Sequence, residues 1–412
     1  MKKPENNDYF PLSEYETRLA RLRGQMKTDG LDALLLTTEP NVVYTTGFLN
    51  GYWVCKNHDD VQIVLITADV DHDPILLLPC NLEHAARTSC ISDIRMWSQF
   101  DALKGGGAVA TVVDAIRGCG LAKARIGMEI GPHDRPGMSL PFLRSLQDSL
   151  PGVEWVDGGG VMGRVRAIKS KLEIEKIRKA CQITCRAVQV GMDSIREGMS
   201  EKELGQIIAL EMAKQSPDVC TIHPWFLMIH STGRGPSAYD GMPTTYRFRK
   251  GDYVYVDTGF NFHGYNADMI RCASIGAPSP ETERYYKANR DANMAAIEFM
   301  RPGVTCKEVY EFFAEKVREK GFAKQIEQQH EANWKFLGHS WGLSLHEMPY
   351  LDGVTEDVLQ PGMVFSIEGN IFDKMPMSLT TQVLKNEENI VITKDGHEWL
   401  TPLSNDLWIA KT

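Results

Sequence analysis

The chain repeats itself, and the repeat constrains its fold more than any other feature. Arg196-Glu-Gly-Met-Ser200-Glu-Lys-Glu203-Leu204 is echoed by Arg301-Pro-Gly-Val-Thr305-Cys-Lys-Glu308-Val309. Each copy carries a Ser or Thr followed three residues later by Glu, the pattern of a capping box that starts a helix. Each then continues as an amphipathic helix, with Leu204, Ile208 and Met212 on one apolar stripe and Val309, Phe313 and Val317 on the other. Further on, Gly251-Asp-Tyr-Val-Tyr-Val-Asp257 parallels Gly362-Met-Val-Phe-Ser-Ile-Glu368. Both are runs of β-formers that end in an acid. The repeat predicts two α+β halves related by pseudo-symmetry, facing each other so that their strand-end acids meet at one central site.

The residues before the repeat read differently. A helix is predicted over 13–30, then strands at Ala33–Thr37, Asn41–Tyr44, Val61–Thr67, Ile75–Leu78 and Arg125–Glu129, with helical stretches between them. That alternation predicts a small α/β domain. Asp157-Gly-Gly-Gly160 interrupts it, which places the boundary between an N-terminal domain (1–160) and a catalytic domain (161–412). A long helix is predicted from Lys171 to Arg196.

Composition narrows the function classes. Hydrophobic residues make up 43% and charged residues 24%, enough for a sizeable core. The net charge of −9 and the lack of a basic block argue against a nucleic acid or an anionic membrane as partner. Nine cysteines without a CxxC pair suit a reducing compartment, and Cys181 and Cys185 read as helix packing. The polar N-terminus lacks an apolar signal core, so a cytoplasmic location is expected.

The acids form a constellation. Asp257 ends one strand, and Gly259 and Gly264 mark the turn of a hairpin that returns with Asp268. Glu368 ends the matching strand of the second half, Glu387 precedes Asn389-Ile-Val-Ile-Thr393, and His339 lies in a Gly-His-Ser-Trp-Gly run. Each acid alone reads as a solvated surface group. Together, at the ends of apolar strands, they are costly unless paired or metal-bound. Four carboxylates and one imidazole suit two divalent ions such as Mn, Fe, Co or Zn, which would acidify a water between them. Glu368 stands where it would take that water's proton.

At these residues the chain resembles the pita-bread metalloenzymes: methionine aminopeptidase, aminopeptidase P, prolidase and the non-metal relative creatinase. The matching segments are Val256-Asp257-Thr-Gly259, Gly264 through Arg271, Gly338-His339 through His346-Glu347-Met-Pro349, Ser366-Ile-Glu368 and Glu387-Glu388. Thr38-Glu-Pro-Asn41-Val-Val-Tyr44-Thr-Thr-Gly47-Phe48 and Arg166-Ala-Ile-Lys169-Ser170 resemble the creatinase/prolidase N-terminal domain and its link to the catalytic domain. The resemblance implies Asp257, Asp268, His339, Glu368 and Glu387 as ligands of two ions, with Mn as the physiological metal. It implies His346 as the histidine that contacts substrate and stabilises the tetrahedral intermediate, and it implies a homodimer.

Three departures bear on the substrate. Where peptidase members keep a histidine before the first metal strand, ungapped spacing puts Asp240, which reads equally as an acid/base or as a loop residue. Lys335 stands where proline-specific members have a histidine, and Lys385 where they have an arginine. Lysine does not reproduce the bidentate contacts of arginine. His223 and His230 are alternative sources of the imidazole, Arg234 and Arg247 flank the expected pocket, and Tyr52, Trp53 and His58 lie in a loop that reaches the partner in family dimers. The first reading is therefore a Xaa-Pro dipeptidase or aminopeptidase acting on small peptides. The second is a hydrolase or lyase of a small nitrogen or sulfur metabolite, to which Thr244-Thr245 adds an echo of creatinase. The third is a non-catalytic binding protein on the same fold.

Overall fold

The computed structural model describes residues 1–5, 9–48, 61–98, 107–131, 135–216, 226–234, 241–372 and 384–410. The chain divides into two compact units, Met1–Arg166 and Ala167–Thr412. The first ends six residues beyond the Gly-Gly-Gly segment, because Gly159–Ala167 is a helix rather than a linker.

The first unit is a six-stranded mixed sheet. Its strands are β1 (Ala33–Leu36), β2 (Ile63–Thr67), β3 (Ile75–Pro79), β4 (Asp93–Trp97), β5 (Arg125–Met128) and β6 (Glu154–Asp157), in the order β4-β3-β2-β1-β5-β6. β4 and β6 were not anticipated. They are edge strands with partly exposed residues, which blunts the apolar signal. The predicted strand at Asn41–Tyr44 is a helix, Glu39–Thr46. Val42, Val43 and Tyr44 favour strands, but local anchors override them. Pro40 lies in the first turn, and Gly47 closes the helix at φ 67° with its N–H on Val43 O. Buried Glu129 accepts from Thr37 N–H, from both threonine hydroxyls (Thr37 and Thr38) and from Asn41 Nδ2, bending the chain off β1.

The second unit is built twice. β7 (Phe226–Ser231), β8 (Tyr253–Gly259), the small ribbon β9 (Asn261–Phe262) and β10 (Tyr265–Asn266), and β11 (Met269–Ile275) form the first half. β12 (Phe336–Ser340), β13 (Glu347–Asp352), β14 (Val364–Ile367), β15 (Glu388–Ile392) and β16 (His397–Trp399) form the second. β17 (Trp408–Ala410) returns to pair with β11, giving sheets ordered β17-β11-β8-β7 and β13-β12-β14-β15-β16. Helices Lys171–Ser194 and Glu201–Gln215 cover the first sheet, and Pro280–Phe299 and Cys306–Val317 cover the second, each pair packing its apolar stripe into its own core.

The duplication extends to individual hydrogen bonds. Both capping boxes form, at Ser200/Glu203 and Thr305/Glu308. Gly198 N–H donates to Phe248 O as Gly303 N–H donates to Leu359 O, and Glu201 N–H donates to Tyr246 O as Cys306 N–H donates to Asp357 O. Gly251 (φ 90°) and Gly362 (φ 92°) open the equivalent strands β8 and β14, and their N–H groups donate to Ile275 O and Ile392 O. A left-handed backbone at both places explains why both are glycine.

Gly259 ends β8 for a different reason. A Cβ there would stand 1.7 Å from Ala267 O. Replacing it with alanine is expected to cost on the order of 2–3 kcal/mol and lower the thermal midpoint. Calorimetry of G259A checks this, and an unchanged midpoint would show that the hairpin tolerates the added methyl.

Candidate metal centre

The strand period of two sets up the site. Asp257 pairs across β8 and β11 with Ile270, and the turn between those strands returns Asp268 just ahead of Met269. In the second half, His339 on β12 lies opposite Ser366, and Glu368 follows the last residue of β14. Glu387 precedes β15, and its N–H donates to Ile270 O at 3.3 Å, so the two sheets meet here.

The five residues converge. His339 Nε2 lies 3.5 Å from Asp268 Oδ2, 3.4 Å from Glu368 Oε1 and 4.0 Å from Glu387 Oε1. Asp257, Asp268 and Glu387 bring oxygens within 4.8 Å of one another, and so do the donor atoms of His339, Glu368 and Glu387. All are buried except Glu368, which keeps a narrow opening to solvent. His339 Nδ1 is 3.0 Å from Ser340 O. Only an N–H can satisfy that carbonyl, so Nδ1 carries the proton and the lone pair of Nε2 faces the carboxylates. Lone pair against lone pair in a buried site is unfavourable without a cation between them. Among the described residues, Asp257 Oδ1, Glu387 Oε2 and His339 Nε2 have no hydrogen-bond partner. Oxygen donors with one imidazole fit Mn, Fe, Co or Zn, and the donor set contains no thiolate.

The remaining carboxylate oxygens are held in place by other groups. Tyr255 OH donates to Asp257 Oδ2 at 2.9 Å, and Ser366 Oγ donates to Glu387 Oε1 at 2.5 Å. Asn389 ties the halves together, donating to Ser366 Oγ and accepting from Asp268 N–H and Cys181 Sγ–H. Lys385 Nζ lies 2.5 Å from Glu368 Oε2. Burial, reinforced by Glu368, pushes the Asp257 carboxyl up to about 7. Burial and the neighbouring carboxylates push Asp268 and Glu387 well above the usual range. Burial is also the largest influence on Glu368, but the Lys385 ammonium against it holds that carboxyl below the usual range.

His346 stacks on His339 with ring centroids 3.8 Å apart, one edge open to the pocket. Loss of solvent lowers its pKa, so it stays neutral. The pocket has a volume of about 420 Å³. Phe226, Met228, Trp334, Phe336 and Leu345 form its apolar wall, and Asn370, Lys385 and His346 are its polar groups beside the cage.

The other sequence candidates fall elsewhere. Arg247 does not line the pocket. It is exposed on the capping turn, donating to Gly198 O and pairing with Glu203. Thr244 N–H and Oγ both donate to buried Glu201, a structural role. Lys335 packs along Gly353. His230 is buried on β7 outside the pocket lining. Asp240, His223, Tyr52, Trp53 and His58 lie outside the described residues, as does the side chain of Arg234. Sequence reasoning missed the groups that brace the acids. The period of two could have found only Tyr255, which sits two residues before the acid it holds; Ser366 and Lys385 brace acids of other segments, Glu387 and Glu368.

Comparison with known proteins agrees with this architecture. Residues 175–394 match Metallopeptidase family M24, and residues 18–168 match the Creatinase/Prolidase N-terminal domain. A Xaa-Pro dipeptidase of Pyrococcus horikoshii is 26% identical over 387 residues, spanning 93% of this chain and 96% of the relative. A Xaa-Pro dipeptidase of Pyrococcus furiosus is 30% identical over 247 residues, 60% of this chain and 66% of that protein. The crystal structure of dipeptidase PepE from Mycobacterium ulcerans shares the fold with a TM-score of 0.80 at 24% identity, covering 98% of this chain and 100% of that one. With more than half its length matched by the catalytic family and most of the remainder by the companion domain, the chain belongs to metallopeptidase family M24 and is a hydrolytic enzyme of that family.

Proposed function

We propose that this protein hydrolyses short peptides, with Xaa-Pro dipeptides as its substrate class, using two Mn ions held by Asp257, Asp268, His339, Glu368 and Glu387. The observation that carries the reading is the buried set of unpartnered donor atoms on Asp257, His339 and Glu387, aimed at one space. When bound, the ions supply Lewis acidity and an activated water. The chain's own residues do the rest. Glu368, held ionised beside Lys385, accepts the proton of the attacking water. Neutral His346 faces the pocket and donates a hydrogen bond to the developing oxyanion. The apolar wall of Phe226, Met228, Trp334, Phe336 and Leu345 excludes water and receives the substrate side chain. The two Pyrococcus relatives named as Xaa-Pro dipeptidases support the substrate class.

One observation favours a second reading, a hydrolase or lyase of a small nitrogen or sulfur metabolite. Lys385 is engaged with Glu368 and Lys335 lies against Gly353, so neither supplies the proline-clamping group expected at its position. A dipeptide panel assayed with Mn, run beside creatine and related small amides, separates the two. Strong Xaa-Pro cleavage supports the first reading, and cleavage of the amides alone supports the second.

Replacing His346 with alanine should lower kcat about 100-fold while leaving the bound-ion content unchanged. Kinetics and elemental analysis of the same preparation check both halves of that statement.

Removing the ions should also reveal the acids as a liability. Asp257, Asp268 and Glu387 titrate at raised values when folded, so the native state binds more protons than the unfolded chain above about pH 4. Their stabilising contribution is complete below that pH and falls as the pH rises through the folded values, about 7 for Asp257. Glu368 runs in the opposite sense, one group against three. Chelator-treated protein is therefore expected to melt lower at pH 8 than at pH 5, with excess Mn removing most of the difference. Thermal melts across that range test it, and a midpoint that rises with pH in chelator contradicts it.

A further inference from the structure

The Arg166-Ala-Ile-Lys169-Ser170 segment takes no part in the cage, yet Lys169 is among the most buried charges of the catalytic unit, with its side chain 1% exposed. Its Nζ donates to Ser340 Oγ at 2.9 Å and lies 3.4 Å from Glu347 Oε2. Its backbone N–H donates to Gly362 O at 3.0 Å, fixing it to the turn that opens β14.

The two side-chain partners have a common address. Ser340 follows His339, and Glu347 follows His346. They face each other across the neck of the 341–346 loop, where β13 shifts register against β12. Glu347 Oε1 accepts from Ser344 N–H at 2.9 Å. A Cβ on Gly342 would stand 3.1 Å from Glu347 Oε1 and 3.3 Å from Lys169 Cε, so the loop folds closely over the ion pair. On its far side Trp341 Nε1–H donates to Asn266 O at 2.7 Å.

A buried lysine–glutamate pair is a poor source of stability, since its desolvation cost offsets most of its attraction and apolar side chains of the same size do as well or better. What it supplies is geometry. We infer that Lys169 is a positioning residue: its ammonium clips Ser340 to Glu347, sets the neck of the loop, and so fixes the stacking of His346 on His339 that presents His346 to the pocket. The inference rests on the proposed role of His346.

The test is K169M in the full chain, beside K169R and H346A, assayed on whichever dipeptide the native protein cleaves best. K169M should lower kcat about tenfold to 100-fold, with KM and the Mn affinity from titration calorimetry each within about threefold when measured well below the thermal midpoint, which falls because Glu347 is left buried without its partner. K169R should recover part of the loss. The double variant K169M/H346A should be no slower than H346A alone, because the clip has no ring left to place. A readout independent of turnover is the indole N–H resonance of Trp341, assigned with W341F, which should shift or broaden in K169M. Should K169M fail to fold, E347Q carries the same expectations. Additive losses in the double variant, a kcat loss that vanishes as the assay temperature is lowered further below the midpoint, or an unmoved Trp341 resonance would each overturn the inference. Should the native protein cleave no peptide, the proposed function falls by itself, and the Trp341 resonance alone decides the fate of the clip.

Discussion

Like charges held close together without water are the central constraint on this catalytic unit. Four carboxylates share one buried space, and in a low-polarity interior their mutual repulsion is worth far more than at a surface. Such an arrangement persists only where a rigid frame imposes it and cations compensate it. The frame is two sheets of apolar strands, each clamped by its own pair of helices. Part of the compensation is built in, through Lys385 on Glu368 and the hydroxyls of Tyr255 and Ser366. The remaining unpartnered atoms on Asp257, Glu387 and His339 are where that compensation is incomplete.

The duplicated architecture explains how one sequence reaches such a site. Each half repeats the same capping box, the same turn glycine and the same backbone hydrogen bonds, so equivalent strands deliver their acids from opposite sides. The two halves are not chemically equal. The first contributes two aspartates from a hairpin. The second contributes two glutamates and both histidines, with a lysine two residues ahead of its last acid. Asn389 bridges the halves directly, alongside the Glu387 N–H to Ile270 O bond and the Arg271 contact with Glu387 O.

Much of this was legible in the sequence. The repeat announced the halves, and the acid at the end of each apolar strand announced where they meet, because a buried strand end leaves a carboxylate few alternatives. The grouping of Asp257, Asp268, Glu368 and Glu387 was read from acids beside apolar strands, while His339 and the set as ligands came with the family resemblance. The rest depended on tertiary context. Asn41–Tyr44 has the composition of a strand and forms a helix because Glu129, distant in sequence, gathers the donors at its start. Arg247 read either as a group flanking the pocket or, more commonly, as a solvated loop arginine, and it is exposed on the capping turn. Lys385 read as a lost arginine, and only the folded chain shows its ammonium against Glu368. Long side chains reach too far for sequence position to fix their partners.

The parallel pairing of β17 with β11 has a bearing on biosynthesis. Ala273–Ile275 waits on a segment translated after both halves of the repeat, and Arg271, which braces the backbone of Glu387, also needs the carbonyls of Leu403 and Ser404. While the nascent chain is still tethered to the ribosome, the first-half sheet has an open edge and a buried guanidinium short of acceptors. The first-half sheet is therefore completed only once translation has passed residue 410.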